Sequence, residues 1–169
     1  MIFSEDKGVD DLHPIDVVEQ LAVCEAWSFD RLSNNRISVT ICGKWRSYYL
    51  TLVWSSVEEA IQLNCSFELK PAAEKLPSLF ELINAINDLC EVGAFTYWIE
   101  PKLISYQYSL LLLPEQLPSR SQINRVIQAA VGSSERFYPA LQLLVWGERT
   151  PSQALEVAFG VPHTSTEYH

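Results

Sequence analysis

The stretch Ile61-Gln-Leu-Asn-Cys-Ser-Phe-Glu-Leu69 constrains this chain more than any other. Ile61, Leu63, Cys65, Phe67 and Leu69 alternate without a break against Gln62, Asn64, Ser66 and Glu68. Successive side chains of a β-strand point to opposite faces, so the run specifies a sheet with one buried face and one wet face. A slip of one residue would turn every apolar side chain to water, which fixes the register. One strand cannot stand alone, so its partners must lie elsewhere in the chain.

Several segments supply them. Strands are expected at 29–33 and 36–42, on either side of Asn34-Asn35, a pair that tolerates positive φ and suits a tight hairpin. After a turn at Gly43-Lys44 a third strand is expected at 45–54. It places Tyr48, Leu50, Leu52 and Trp54 on one face and Tyr49, Thr51 and Val53 on the other. A loop at 55–58 leads into the alternating run. Two more strands are expected at 94–100 and 103–113. Phe95, Tyr97, Ile99, Ile104, Tyr106, Tyr108, Leu110 and Leu112 then point inward, and Thr96, Trp98, Ser105, Gln107 and Ser109 outward.

Helical periodicity covers the remainder. Pro14 suits a first helical position, and Ile15, Val18, Leu21, Ala22 and Cys24 form a stripe ending near Trp27. A second helix is expected between 71 and 92, firm after Pro77, with Leu76, Leu79, Phe80, Ile83, Ile86 and Cys90 inside and Gly93 as its stop. The third helical region, 122–146, can be capped by Ser119 or Ser121. Pro139 and the run Gly132-Ser133-Ser134 leave open whether it is one bent helix or two. Gly147 sits where a left-handed stop is expected. Thr150-Pro-Ser-Gln153 has capping-box spacing for a short helix to Phe159. The expected fold is α+β, in the order α-β-β-β-β-α-β-β-α-α, with helices on one face of an antiparallel sheet. Ile61, Leu63, Phe67, Tyr106, Leu110, Ile83, Leu141 and Val145 should share its core.

At 169 residues, one domain over 13–159 is expected, with an acidic N-terminal stretch at 1–12 and a tail at 160–169. Of the net charge of −9, residues 1–30 hold −7, from eight acids against Lys7 alone. No basic cluster offsets this, which argues against nucleic acid and against an anionic membrane surface. The longest purely apolar run, Leu110–Leu113, is too short to span a bilayer. No basic-then-apolar leader pattern opens the chain, and the expected compartment is the cytoplasm. Cys24, Cys42, Cys65 and Cys90 contain no Cys-x-x-Cys pair and lie in apolar-periodic segments. They read as buried free thiols, with a disulfide as the alternative.

A search for chemistry returns no catalytic, cofactor-binding or metal-ligating set. His13, His163 and His169 lie near the ends of the expected domain, outside any metal-ligand spacing, and the six glycines are scattered singly. Trp27, Trp45, Trp54 and Trp146 read as core residues. Three readings of Trp98 stand: an edge aromatic shielding a hairpin, a core residue with 94–100 in the opposite phase, or a contact anchor on the wet face. Arg136 reads as a partner in a local ion pair, or as a cation facing a ligand. The neutral wet face, with Tyr49, Val53, Trp98 and Gln107, is the candidate interaction surface, shared with Thr51 and the polar positions of 62–66.

Five stretches together resemble the YbjN-domain family. They are Gly43-Lys-Trp-Arg-Ser-Tyr-Tyr-Leu-Thr-Leu-Val-Trp54, Gln62-Leu-Asn-Cys-Ser-Phe-Glu-Leu69, Trp98 through the strand Tyr108–Leu113, Glu135-Arg-Phe-Tyr-Pro-Ala-Leu-Gln-Leu-Leu-Val-Trp-Gly147 and Thr150-Pro-Ser-Gln-Ala-Leu155. The fourth is the most specific, and the likeness covers roughly 14 to 158. It departs at Glu91 and Ala94, where members more often carry a bulky aromatic and a histidine. The resemblance implies a fold similar to type III secretion chaperones, no established catalysis, no cofactor, and a role among bacterial sensory-transduction or stress regulators. It also implies a protein partner, a second copy included. The expected function is therefore non-enzymatic binding through protein–protein contacts. The alternatives are a small-molecule sensor with a pocket between helices and sheet, and an enzyme of unknown reaction.

Overall fold

A computed structural model describes residues 12–159. The acidic stretch before Leu12 and the tail expected at 160–169 lie outside the described residues. Four helices and six strands follow in the expected order. They are α1 (Pro14–Cys24), β1 (Ser28–Ser33), β2 (Arg36–Cys42), β3 (Ser47–Ser55), β4 (Ala60–Glu68), α2 (Leu76–Leu89), β5 (Ala94–Trp98), β6 (Leu103–Leu111), α3 (Arg120–Trp146) and α4 (Pro151–Phe159). A short 3₁₀ turn, Ala73–Lys75, leads into α2.

The strands form one antiparallel sheet in the order β1-β2-β3-β4-β6-β5. The alternating run is the middle of it: Leu63 pairs Leu52 on β3 and Tyr108 on β6. Leu63, Cys65 and Phe67 are buried while Gln62 is exposed, so the register is the one the pattern demands. Helix α1 packs against β1, β2 and β3, α2 against β5, and α3 against β4 and β6. All of them cover the face that carries Leu50, Leu52, Leu63 and Tyr106, and no helix among the described residues covers the other, open face.

The helix ends follow from local chemistry. His13 caps α1, its Nδ1 accepting from Ile15 N at 3.1 Å, and Asp16 accepts from His13 N at 3.0 Å. Asp16 and Glu19 also receive Arg31 of β1 at 3.1 and 2.6 Å, tying α1 to the edge strand. Ser119 is the cap of α3, paired reciprocally with Gln122. Thr150 and Gln153 form the expected box before α4. Gly93, expected as the stop of α2, lies beyond it: the helix ends at Leu89 with Cys90 as its cap, and Gly93 takes φ +70° in the loop that follows, the left-handed conformation glycine adopts without strain.

Helix α3 is a single helix of 27 residues, about 40 Å long, and runs through both Gly132 and Pro139. Tertiary packing decides this, because Ile123, Ile127, Ala130, Ser134, Phe137, Leu141 and Val145 form one unbroken buried stripe. Gly147 is extended, with φ −109° and ψ 178°, instead of left-handed. Lys75 closes the helix in its place, its Nζ donating to the carbonyls of Leu144, Val145 and Gly147 at 3.1, 3.2 and 2.5 Å.

Several core assignments are corrected. Trp45 is half exposed because β3 begins only at Ser47, leaving the ring in the turn beneath the Lys44 ammonium. Trp146, at the end of α3, lies beside the stripe that Leu144 and Val145 complete and is 75% exposed. Trp27 and Trp54 are only half-buried against the core. On α2 Leu82 joins Leu79 and Ile86 as fully buried, while Phe80 is exposed and leans on Tyr97. Ile99 falls past the end of β5 and is exposed, and Leu110 is half-buried. Ser105 is fully buried although it faces the open side, and its hydroxyl meets that of Ser66 at 3.2 Å. The four cysteines are unbonded, but only Cys65 is buried. Cys24 ends α1 in solvent, and Cys42 lies in phase with Thr40 on the open face.

Candidate functional site

The open face is built by strand pairing, and its composition can be read row by row. One row runs Ser28, Thr40, Tyr49, Ser66, Ser105, Thr96 across all six strands. The next runs Asp30, Ser38, Thr51, Asn64, Gln107, Ala94, and a third Arg36, Val53, Gln62, Ser109. Hydroxyls and amides fill the centre, and charge is confined to the margins at Asp30, Arg36 and Glu68. Tyr49 is 60% exposed, Gln107 is exposed, and Val53 and Trp98 are half-buried. Trp98 thus lies on the open side, in phase with Thr96. Tyr49 and Trp98 are three strand spacings apart, about 14 Å, so they flank the polar centre and do not touch.

Behind the sheet, two of the sequence stretches meet. Glu135 of α3 reaches the turn before β3, where its Oε1 accepts from Trp45 N at 3.3 Å. Gly43 leaves room for it: a Cβ there would collide with Glu135 Oε1 and lie 2.5 Å from Cε2 of Tyr48. Arg46 shares the phase of Tyr48 and Leu50, so its stem enters the core. Its guanidinium carbon lies 5.3 Å from the centroid of Phe67 and 5.9 Å from that of Tyr138. Such stacking is favourable for a cation over aromatic faces.

This junction is polar yet chemically quiet. Arg46 Nε and Tyr48 Oη are buried without a hydrogen-bond partner, which costs stability unless an ordered water serves them. Burial, together with the adjoining Glu135 carboxylate, raises the Tyr48 phenol well above its ordinary value. Burial pushes the Cys65 thiol up to about 11, against the opposing pull of Ser134, 3.6 Å away, and Arg46. Both groups are therefore neutral at physiological pH, and neither is a nucleophile. Sequence reasoning missed this cluster. The signal was Arg46 itself, a charged residue in phase with core side chains.

Among the described residues no three of His, Cys, Asp and Glu gather where a metal ion could be held. His13 is spent on its cap, and His163 and His169 lie outside the described residues. No helix among the described residues is long and apolar enough to cross a membrane.

The YbjN family, described as "Putative bacterial sensory transduction regulator", matches residues 14–143. The chain belongs to the YbjN family. The match begins at α1 and ends inside α3, and so includes both the open sheet and the Arg46–Glu135 junction. The chain is also similar to a crystal structure described as YbjN, a putative transcription regulator from E. coli. There the TM-score is 0.54 at 12% identity, covering 72% of this chain and 85% of that one. At that identity the likeness speaks for the fold alone. No curated protein matches the chain.

Proposed function

We propose that this YbjN-family chain is a non-enzymatic, cytoplasmic regulatory protein that works by holding a protein partner, in the manner of a chaperone, against the open face of its sheet. One observation carries the reading. In a chain of net charge −9, six strands present a face that no other described element covers, its centre neutral hydroxyl and amide, with Tyr49 standing out of it at 60% exposure. Interface centres favour aromatic anchors and exclude lysine and glutamate, because uncharged groups cost less to desolvate. The family's description as a sensory-transduction regulator fits a binding role and names no reaction.

The test places a charge in the middle of the face. Tyr49→Arg and Val53→Arg are compared with wild type for thermal stability, for mass by light scattering, and for retention of the protein that wild type retains. Unchanged melting with lost association supports the surface. Association that survives both arginines removes the open face from the function.

A further inference from the structure

Beyond the sheet face, the structure contains a pocket between the end of α2, the loop 90–93 and the middle of α3. It has a volume of about 340 Å³ and is lined by Leu89, Cys90, Glu91, Val92, Ser133, Arg136 and Phe137. That is at the lower end of the range of ligand pockets. Its walls mix polar groups (Glu91, Ser133 and Arg136) with the apolar side chains of Leu89 and Val92, and its one cation is held in place. The Arg136 guanidinium carbon stacks 5.2 Å from the ring of Phe137 and 5.1 Å from that of Phe159. Phe137 is itself braced by Phe95, 5.9 Å away, and is buried. Among the described residues the ion pairs are those of Arg31 and Lys70, and none engages Arg136. The helix-surface ion pair that its position beside Glu135 suggested is therefore not formed, since Glu135 turns to Trp45.

We infer that this pocket is a binding site for a small organic carboxylate with a short apolar body, its acid group received by Arg136 and its body by the exposed side chains of Leu89 and Val92. A guanidinium presents paired donors that match a carboxylate, and stacking leaves its N–H edge free for that purpose. Ser133, one turn back, adds a hydroxyl beside that of Tyr106, whose own proton is committed to Val92 O at 2.6 Å. The Cys90 thiol is pushed up by burial, against the pull of Arg136, so it stays neutral and repels no anion. Glu91 on the rim carries a negative charge, which selects against a dianion such as phosphate and in favour of a single carboxylate. The site lies on the helical side of the molecule, away from the open sheet face, so its ligand and a protein on that face can be bound together.

Hexanoate is the probe, with hexanamide and inorganic phosphate as comparisons, read by amide chemical shifts of the full-length protein. The expected result is a saturable shift confined to residues 89–93 and 133–137. Hexanamide should bind at least tenfold more weakly, and phosphate should not bind. Arg136→Gln should lose at least tenfold in hexanoate affinity, Arg136→Lys should recover part of it, and Arg125→Gln, on another groove, should leave it unchanged. The folded spectrum of Arg136→Gln separates lost binding from lost structure. Equal binding of hexanamide, phosphate binding in place of hexanoate, shifts elsewhere, or an indifferent Arg136→Gln overturns the assignment.

Discussion

Adding one methyl group at Gly43 tests the junction of α3 and β3 directly. A Cβ at that position meets two groups of different compliance. The Glu135 carboxylate is the free end of a flexible side chain and can swing away, losing its bond to Trp45 N. The Tyr48 ring cannot, because it is fully buried and edge-on to Phe67 at 5.9 Å. Overpacking a close-packed site costs about 1–3 kcal/mol. For a chain of this size that is a fall in melting temperature of about 2–12 °C. Glu135→Ala alone should cost about 0.5–1 kcal/mol, one exposed hydrogen bond. In the double variant Gly43→Ala/Glu135→Ala one of the two collisions is gone, so the combined loss should fall short of the summed single losses by at least about 0.5 kcal/mol. Urea unfolding of the four proteins measures the cycle. Strict additivity would falsify the claim that Gly43 is glycine for the sake of Glu135. A Gly43→Ala loss under about 0.5 kcal/mol would show that the turn yields as a whole.

Other expectations follow from single sites. Leu141→Ala, at a fully buried position on α3, should cost about 2–5 kcal/mol in urea unfolding; a loss below about 0.5 kcal/mol would place it outside the core. Although partial burial pushes Asp16 upward, its bond from His13 and the Arg31 guanidinium together hold its carboxyl below the ordinary value. Its stabilising contribution is thus present at neutral pH and lost as pH falls through that lowered value. Asp16→Asn should narrow the stability difference between pH 7 and pH 3, and an unchanged difference sinks the assignment. With a thiol reagent at pH 8, Cys24 and Cys42 should react first and Cys65 only on unfolding, since its thiol is buried and pushed up to about 11. Rapid labelling of Cys65 in the folded protein would contradict its placement.

How far the sequence could be read depended on what each residue answers to. Strand phase was legible from 36 to 69 because alternation is a local property with a period of 2, and the pairings of β2, β3 and β4 follow it residue for residue. The helix start at Pro14 and the caps at Ser119 and Thr150 were legible for the same reason, being set by residues within one turn. What failed was nonlocal. The stop of α3 is supplied by Lys75, about seventy positions earlier in the chain, and no glycine rule can anticipate that. Whether α3 breaks at Gly132 or Pro139 was decided by the sheet beneath it. The tryptophans were misjudged because size favours burial only where a face is available. Trp45 and Trp146 sit at element ends, where the chain leaves the core.

The candidate sites divide along the same line. The open face was visible where its residues are every second one along strands of legible phase, as at Tyr49 and Val53, whereas the phase of Trp98 was left open and only the pairing of β5 with β6 puts it on that side. The Arg136 pocket was not visible, since Cys90, Val92 and Ser133 become neighbours only once α2 and α3 share one side of the sheet. The adjacent residues Glu135 and Arg136 show why charge spacing misled. Adjacent helix positions point about 100° apart, so Glu135 turns to the β3 turn while Arg136 turns to the aromatic cluster. Each charge is thereby separated from the other and committed to a different neighbour. The same stretch of α3 therefore braces the turn that opens β3 and presents a stacked cation to the pocket, which makes this helix the physical link between the sheet and any ligand bound behind it.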